Sequence, residues 1–178
     1  MRNGFVSHAA GGVFGGAMGT LFMMNGMKRV GQRLPERLKP TLVRRDPAEL
    51  MVARLEALRG RPLPRRVHDV LAGSLHWVYG MGWGGLLGLA TTRHRLRSPR
   101  DTLLAGAALG TLVWAVGYAG WLPATRLTPP LHRQGGRHAA AALIAHVAYG
   151  IVSALPILVV DRVLRPERGF RRWLRTLR

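Results

Sequence analysis

The stretch from residue 139 to residue 160 reads AAAALIAHVAYGIVSALPILVV and contains no lysine, arginine, aspartate or glutamate. An α-helix needs about 20 predominantly apolar residues to cross the roughly 30 Å hydrocarbon layer of a bilayer. An aspartate or arginine at the centre of an inserted helix costs roughly 2.5–3.5 kcal/mol, so the absence of charge over this length is informative. This stretch therefore predicts a transmembrane helix.

Three further stretches of the chain have the same character. They also lack Lys, Arg, Asp and Glu, and they run Gly4–Met27, Val70–Thr92 and Thr102–Thr125. The sequence thus predicts an all-α integral membrane protein, built as a bundle of four transmembrane helices. With flanking residues included, the predicted helices cover 1–27, 68–92, 102–125 and 139–160, with a basic polar loop over 28–67 and a basic tail over 161–178.

The charge of the chain is strongly basic. Its 178 residues include 27 Lys and Arg against 8 Asp and Glu, for a formal charge of +19. Nucleic-acid-binding proteins share this bias, but here the basic residues lie between apolar blocks that a chain of this length cannot bury in a soluble core. We therefore expect a lipid bilayer with anionic lipids as the partner, and no nucleic acid. The chain has no cysteine, which excludes disulfides and thiolate metal sites.

The loop over 28–67 contains the signals of a short helix. Asp46 is a favourable N-cap, Pro47 suits the first helical position, and Gly60 suits the position after the last turn. We expect an amphipathic helix over about 47–59 that lies on the membrane surface or on the bundle. Its predicted apolar stripe consists of Leu50, Ala53, Ala57 and Leu58.

The tail over 161–178 predicts a second amphipathic helix. Phe170, Trp173, Leu174 and Leu177 recur at helical spacing, and arginines occupy the other face. Such a helix binds anionic lipid surfaces through its apolar and its basic side. The residues expected to contact lipid headgroups are Arg171, Arg172, Trp173 and Arg175.

Glycines recur at intervals of four residues in the predicted transmembrane helices. This spacing places them on one helix face, where two backbones can approach closely. We predict that these faces serve packing within the bundle or in a homo-oligomer. The packing glycines are Gly11, Gly15 and Gly19 in the first helix, Gly80, Gly84 and Gly88 in the second, and Gly150 in the fourth.

Three of the four helices also share a histidine that precedes a glycine by four positions. In two of them a tyrosine stands at the third position, in the sequences HWVYG at 76–80 and HVAYG at 146–150. Imidazole and phenol groups can form hydrogen bonds between helices, which contribute roughly 0.6 kcal/mol each in lipid. We name this set the polar seam, and it consists of His8, His76, Tyr79, His146 and Tyr149.

Four interpretations of the polar seam remain open at the level of sequence. They are helix-packing groups, a proton relay, metal or haem ligands, and contacts to a lipid headgroup or small ligand. Only Asp69, next to His68, offers a nearby carboxylate for a metal. We predict neither a metal nor another cofactor. The chain also lacks the P-loop, the G-x-S-x-G motif and the H-E-x-x-H motif, so we predict no enzymatic activity.

Several motifs resemble one family. The segment GYAGWLPA at 117–124, the LTPP sequence at 127–130 and the two His-containing motifs above resemble the YagU-type family of bacterial inner-membrane proteins, whose biochemical function is unknown. The resemblance implies a small multi-pass inner-membrane protein with both termini in the cytoplasm. Charge alone does not orient the chain, because the two sides of a four-span arrangement carry 12 and 15 basic residues.

The sequence leads to one main functional hypothesis and two alternatives. The main hypothesis is a non-enzymatic membrane protein with a packing or organising role. The first alternative is a protein that handles protons or ions through the histidine-lined polar seam. The second is a small accessory subunit of a larger membrane complex.

Overall fold

The computed structural model describes residues 2–26, 29, 33, 46–93 and 98–164. Every regular element in these residues is helical and none is a strand, which confirms the predicted all-α class. A π-helical turn, Phe22–Gly26, extends the first helix, and a π-helical segment, Ala115–Trp121, extends the fourth. The main helices are α1 (Arg2–Leu21), α2 (Pro47–Arg59), α3 (Arg65–Arg93), α4 (Pro99–Trp114) and α5 (Gly136–Leu164).

The four long helices pack side by side in alternating directions. On α1 and α3, Gly12 lies against Gly88 while Gly16 lies against Gly80, so the two helices are antiparallel. On α4 and α5, Gly106 lies against Gly150, and residues further along α4 meet earlier residues of α5. The starts of α1 and α4 therefore share one end of the bundle with the end of α5. The opposite end carries α2, and we call it the α2 end.

Backbone contact through glycine holds these helices together. A Cβ atom placed on Gly12 would lie 2.8 Å from the Cα of Gly88, a distance that real Cβ atoms do not adopt. Of the predicted packing glycines, Gly11, Gly15 and Gly19 face α5, Gly80, Gly84 and Gly88 face α1, and Gly150 faces α4. The structure adds a second face on α1, formed by Gly12 and Gly16, and a face on α4, formed by Gly106 and Gly110.

Two helical stretches among the described residues are long and apolar enough to cross a membrane. They are Pro99–Ala124 and Gly136–Val163, whose most apolar 18 residues have mean hydropathies of 1.6 and 2.2. α1 and α3 each contain six glycines, which lower the hydropathy of both helices. The prediction of four spans stays a prediction.

α2 forms where the sequence predicts it. The Asp46 side chain accepts a hydrogen bond from the Ala48 N–H at 2.8 Å, and Gly60 ends the helix with a φ of 72°. The helix docks on α3 through Ala48 and Val52, which are buried in a small cluster with Ala72. The predicted apolar stripe is therefore not the docking face, and its Leu58 is 74% exposed.

Candidate functional site

A cavity of about 430 Å³ lies at the α2 end of the bundle, and all five helices contribute to its wall. Apolar side chains cover most of it, among them Met23, Met51, Leu75, Val113 and Leu122. Polar and aromatic groups interrupt this wall at a few places. They are Thr20, Asp46, His76, Tyr79, Tyr118, Trp121, His146 and Tyr149.

Four of the five polar-seam residues line this cavity, and His8 does not. His8 is 4% exposed and lies towards the opposite end of the bundle. Its Nδ1 is 2.7 Å from the Gly4 carbonyl oxygen, and its Nε2 is 3.2 Å from Oδ1 of Asp161. The structure thus divides the predicted seam into a cavity group and a separate His8–Asp161 pair.

An acid–imidazole pair connects α2 to α3 at the cavity wall. Nδ1 of His76 lies 3.3 Å from Oδ1 and 3.2 Å from Oδ2 of Asp46. Burial by itself would raise the pKa of the Asp46 carboxyl group. The hydrogen bond and positive charge from His76 and the hydrogen bond from Ala48 N–H outweigh it, so the pKa of Asp46 is lowered. Asp46 is therefore ionised at neutral pH.

A second pair of the same kind lies further along α2. Nδ1 of His68 is 3.0 Å from Oε1 of Glu56, which also accepts a hydrogen bond from the Leu63 N–H at 3.0 Å. Because the two pairs lie at opposite ends of α2, they fix its direction across α3.

The deep wall of the cavity is held by hydroxyl groups. Tyr149 is 2% exposed, and its hydroxyl donates to the Gly80 carbonyl oxygen at 2.5 Å, which links α5 to α3. The Thr20 hydroxyl donates to the Gly16 carbonyl oxygen at 2.8 Å within α1. These bonds stabilise the helices that meet behind the cavity.

Two histidines of α5 pack against one tyrosine of α4. The ring of Tyr118 lies 5.6 Å from the His146 ring in an edge-to-face arrangement, and 6.0 Å from the His138 ring. His146 donates from Nδ1 to the Ala142 carbonyl oxygen at 2.7 Å. His138 is 9% exposed, and neither of its ring nitrogens has a hydrogen-bond partner among the described residues. His138 and Tyr118 are not among the site residues predicted from the sequence, although Tyr118 falls within the GYAGWLPA segment.

The π-helical segment of α4 shapes the cavity. Gly117, Tyr118 and Trp121 all lie in it and all line the cavity. The Trp121 ring contacts the Tyr79 ring with centroids 6.3 Å apart. Short π-helical segments within α-helices are frequent at functional sites, and this one places three lining residues within five positions.

The metal interpretation concerns the described residues, whereas the predicted lipid-headgroup contacts do not. Among residues 2–26, 46–93 and 98–164, no group of three or more His, Asp or Glu side chains is arranged to hold a metal ion. The predicted lipid-headgroup contacts Arg171, Arg172, Trp173 and Arg175 lie outside the described residues.

The chain was compared with protein-family models, curated proteins and solved structures. None of the three comparisons gives a match. The YagU-type resemblance therefore stays a prediction, and the function has to be argued from the cavity and its lining.

Proposed function

We propose that the chain is a non-enzymatic, four-span protein of a bacterial inner membrane that holds a small amphipathic molecule in the cavity at the α2 end. The observation that carries this proposal is the cavity itself. Its volume of about 430 Å³ falls in the usual range for ligand pockets, roughly 300–1,000 Å³. Its mainly apolar wall with a few converging polar groups is also typical of such pockets.

The outer surfaces of α1 and α3 support four spans. Both helices lie along the apolar helix pair, and both expose large apolar side chains, among them Phe14 at 62% and Val78 at 69%. A helix satisfies its own backbone hydrogen bonds, so a glycine-rich helix of modest hydropathy is acceptable in lipid when it packs closely against neighbours. The family resemblance adds the inner membrane and cytoplasmic termini to this proposal.

In this proposal the packing role is limited to contacts between the helices of one chain. The glycine faces of α1, α3, α4 and α5 meet one another, so they serve a single bundle and leave no need for a homo-oligomer. The bundle then acts as a rigid scaffold around its cavity. A partner protein that co-purifies in mild detergent would instead favour the accessory-subunit alternative.

Photolabelling tests whether the cavity binds a ligand. A dodecyl alcohol that carries a diazirine on its chain would be added to the protein in lipid nanodiscs, and labelled peptides would be mapped by mass spectrometry. We expect labelling at the cavity residues Met23, Met51 and Val113, in addition to the lipid-facing surface. Labelling confined to the lipid-facing surface would contradict the proposal.

A cavity-filling variant makes this test specific. A Cβ atom on Gly117 would have only the Tyr79 hydroxyl within reach, at 4.0 Å, so Gly117→Leu places its side chain in the cavity without backbone overlap. We expect this variant to fold and to lose cavity labelling. Gly82→Leu is the matched control, because nothing lies within 4 Å of a Cβ atom at Gly82. Equal cavity labelling in the two variants would count against ligand binding.

Proton handling is a second candidate, favoured by the histidine contacts in α5. His146 and the buried His138 both lie against Tyr118, and His76 lines the same cavity as His146. Imidazoles exchange protons near neutral pH. Vesicles that contain the protein would be placed under a pH gradient. Proton conduction predicts a faster leak for the native protein than for a His76→Phe/His146→Phe variant, and equal leak rates would exclude it.

A further inference from the structure

Two hydroxyl groups of the cavity wall donate their hydrogens to backbone carbonyl oxygens of the bundle. The Thr20 hydroxyl donates to the Gly16 carbonyl oxygen, and the Tyr149 hydroxyl donates to the Gly80 carbonyl oxygen. A hydroxyl group has one hydrogen to donate and two lone pairs that accept. These two side chains therefore retain accepting capacity only.

The imidazole of His146 has the same property. The Ala142 carbonyl oxygen can only accept, so Nδ1 of His146 carries the hydrogen. The ionised Asp46 carboxylate likewise only accepts, so Nδ1 of His76 carries the hydrogen. When the His146 imidazole is neutral, its other nitrogen, Nε2, is then an acceptor.

Two features of the described cavity lining attract cations. Asp46 is the acidic side chain among its described lining residues, and no lysine or arginine belongs to that lining. The rings of Tyr79, Tyr118 and Trp121 line the same space. Aromatic faces attract cations, with interaction energies that grow when the site is desolvated. The chain as a whole carries a formal charge of +19, which repels cations. A preference for cations therefore has to come from these local groups.

We propose that the cavity selects an amphipathic molecule with an ammonium group, bound by hydrogen bonds to Asp46 and His146. This inference rests on the proposed ligand-binding function and names the class of ligand. The ammonium group donates hydrogens to the Asp46 carboxylate and to Nε2 of His146, and its charge is compensated by Asp46. The apolar body of the ligand lies among Met51, Val113 and the other apolar lining residues.

Three photoreactive dodecyl probes test the ligand class. They share one diazirine-bearing chain and end in an ammonium, a hydroxyl or a carboxylate group. In phosphatidylcholine nanodiscs, we expect the ammonium probe to label cavity residues at a concentration at least about tenfold lower than the other two. Equal or better cavity labelling by the hydroxyl or carboxylate probe would overturn this inference and leave ligand binding standing. Cavity labelling by none of the three would overturn both.

Two aspartate variants show whether the preference depends on Asp46. Asp46→Asn removes the charge and keeps an efficient N-cap for α2, because Asn caps helices about as well as Asp. We expect it to abolish the preference for the ammonium probe. Asp69→Asn removes the same charge from an exposed site near the start of α3 that does not line the cavity, and should keep the preference. A preference that survives in Asp46→Asn and in a second capping variant, Asp46→Ser, would contradict the assignment.

The source of the ammonium group is decided by competition. Nanodiscs that contain ethanolamine lipid would reduce labelling by the ammonium probe if the natural ligand is a lipid headgroup. Labelling unaffected by that lipid would point to a free amphipathic amine. Both outcomes retain the ammonium group as the recognised feature.

Discussion

Gly84 is a single position on which the packing of the bundle depends. A Cβ atom there would lie 2.5 Å from the Cα of Gly16 and would overlap the carbonyl oxygen of Gly12. Both obstacles are backbone atoms of α1, which cannot rotate away as a flexible side chain does. Gly82, two residues earlier on the same helix, faces open space.

We expect the substitutions Gly84→Ala and Gly82→Ala to have opposite effects on stability. In Gly84→Ala the overlap with α1 separates two helices, and the thermal unfolding midpoint in mild detergent should fall. In Gly82→Ala no contact is lost, and the higher helix propensity of alanine contributes roughly 0.5–1 kcal/mol of stability. Equal midpoints for the two variants would contradict the observed contact between α1 and α3.

The separation of His8 from the cavity shows what a residue pattern can and cannot predict. His76 and His146 both lie in helices that start at the α2 end, whereas His8 lies near the start of a helix that starts at the other end. The shared spacing between histidine and glycine predicts which face of its helix the histidine occupies, but not at which depth of the bundle it lies. Helix direction alternates in an antiparallel bundle, so the predicted order of the helices already implies that His8 lies at the other end from His76 and His146. The contacts of His138 depend on its neighbours in space, and no local pattern indicates them.

At the scale of elements, capping signals predict helix bounds well. Asp46, Pro47 and Gly60 predict α2 over 47–59, and Ser98 with Asp101 forms the capping box that starts α4. These signals are local, since each satisfies backbone groups of its own helix turn. The docking face of α2 depends on α3, whose small Ala72 admits Val52. A short helix with apolar residues on more than one side does not reveal which side will be buried.

We expect Val52→Ala to detach α2 without unfolding the bundle. Val52 is 1% exposed, and its truncation removes buried methyl groups worth roughly 0.8 kcal/mol each, in addition to a cavity cost. Hydrogen exchange should therefore accelerate in residues 48–60 and remain unchanged in α4 and α5. Leu58→Ala is the control, because that side chain is 74% exposed. Faster exchange in the control than in Val52→Ala would mean that the apolar stripe containing Leu58 is the docking face after all.

At the scale of the whole molecule, the fold and the hydropathy give different numbers of membrane spans. Hydropathy identifies two stretches, whereas packing aligns α1 and α3 with them along the bundle. Glycine accounts for the difference, because it lowers hydropathy while it permits the close contacts that hold a helix in lipid. The number of spans therefore has to be measured from the accessibility of the loops.

Single cysteines would measure it, since the chain has none of its own. The exposed residues Arg61, Arg100, Arg133 and Arg162 would each be replaced by cysteine and treated with a membrane-impermeant maleimide on intact spheroplasts. With four spans and cytoplasmic termini, we expect Arg61→Cys and Arg133→Cys to react from outside, and the other two only after permeabilisation. If α4 and α5 alone cross the membrane, Arg61→Cys must instead behave like Arg100→Cys. Arg61 thus separates the two arrangements, because its side of the membrane depends on whether α3 crosses.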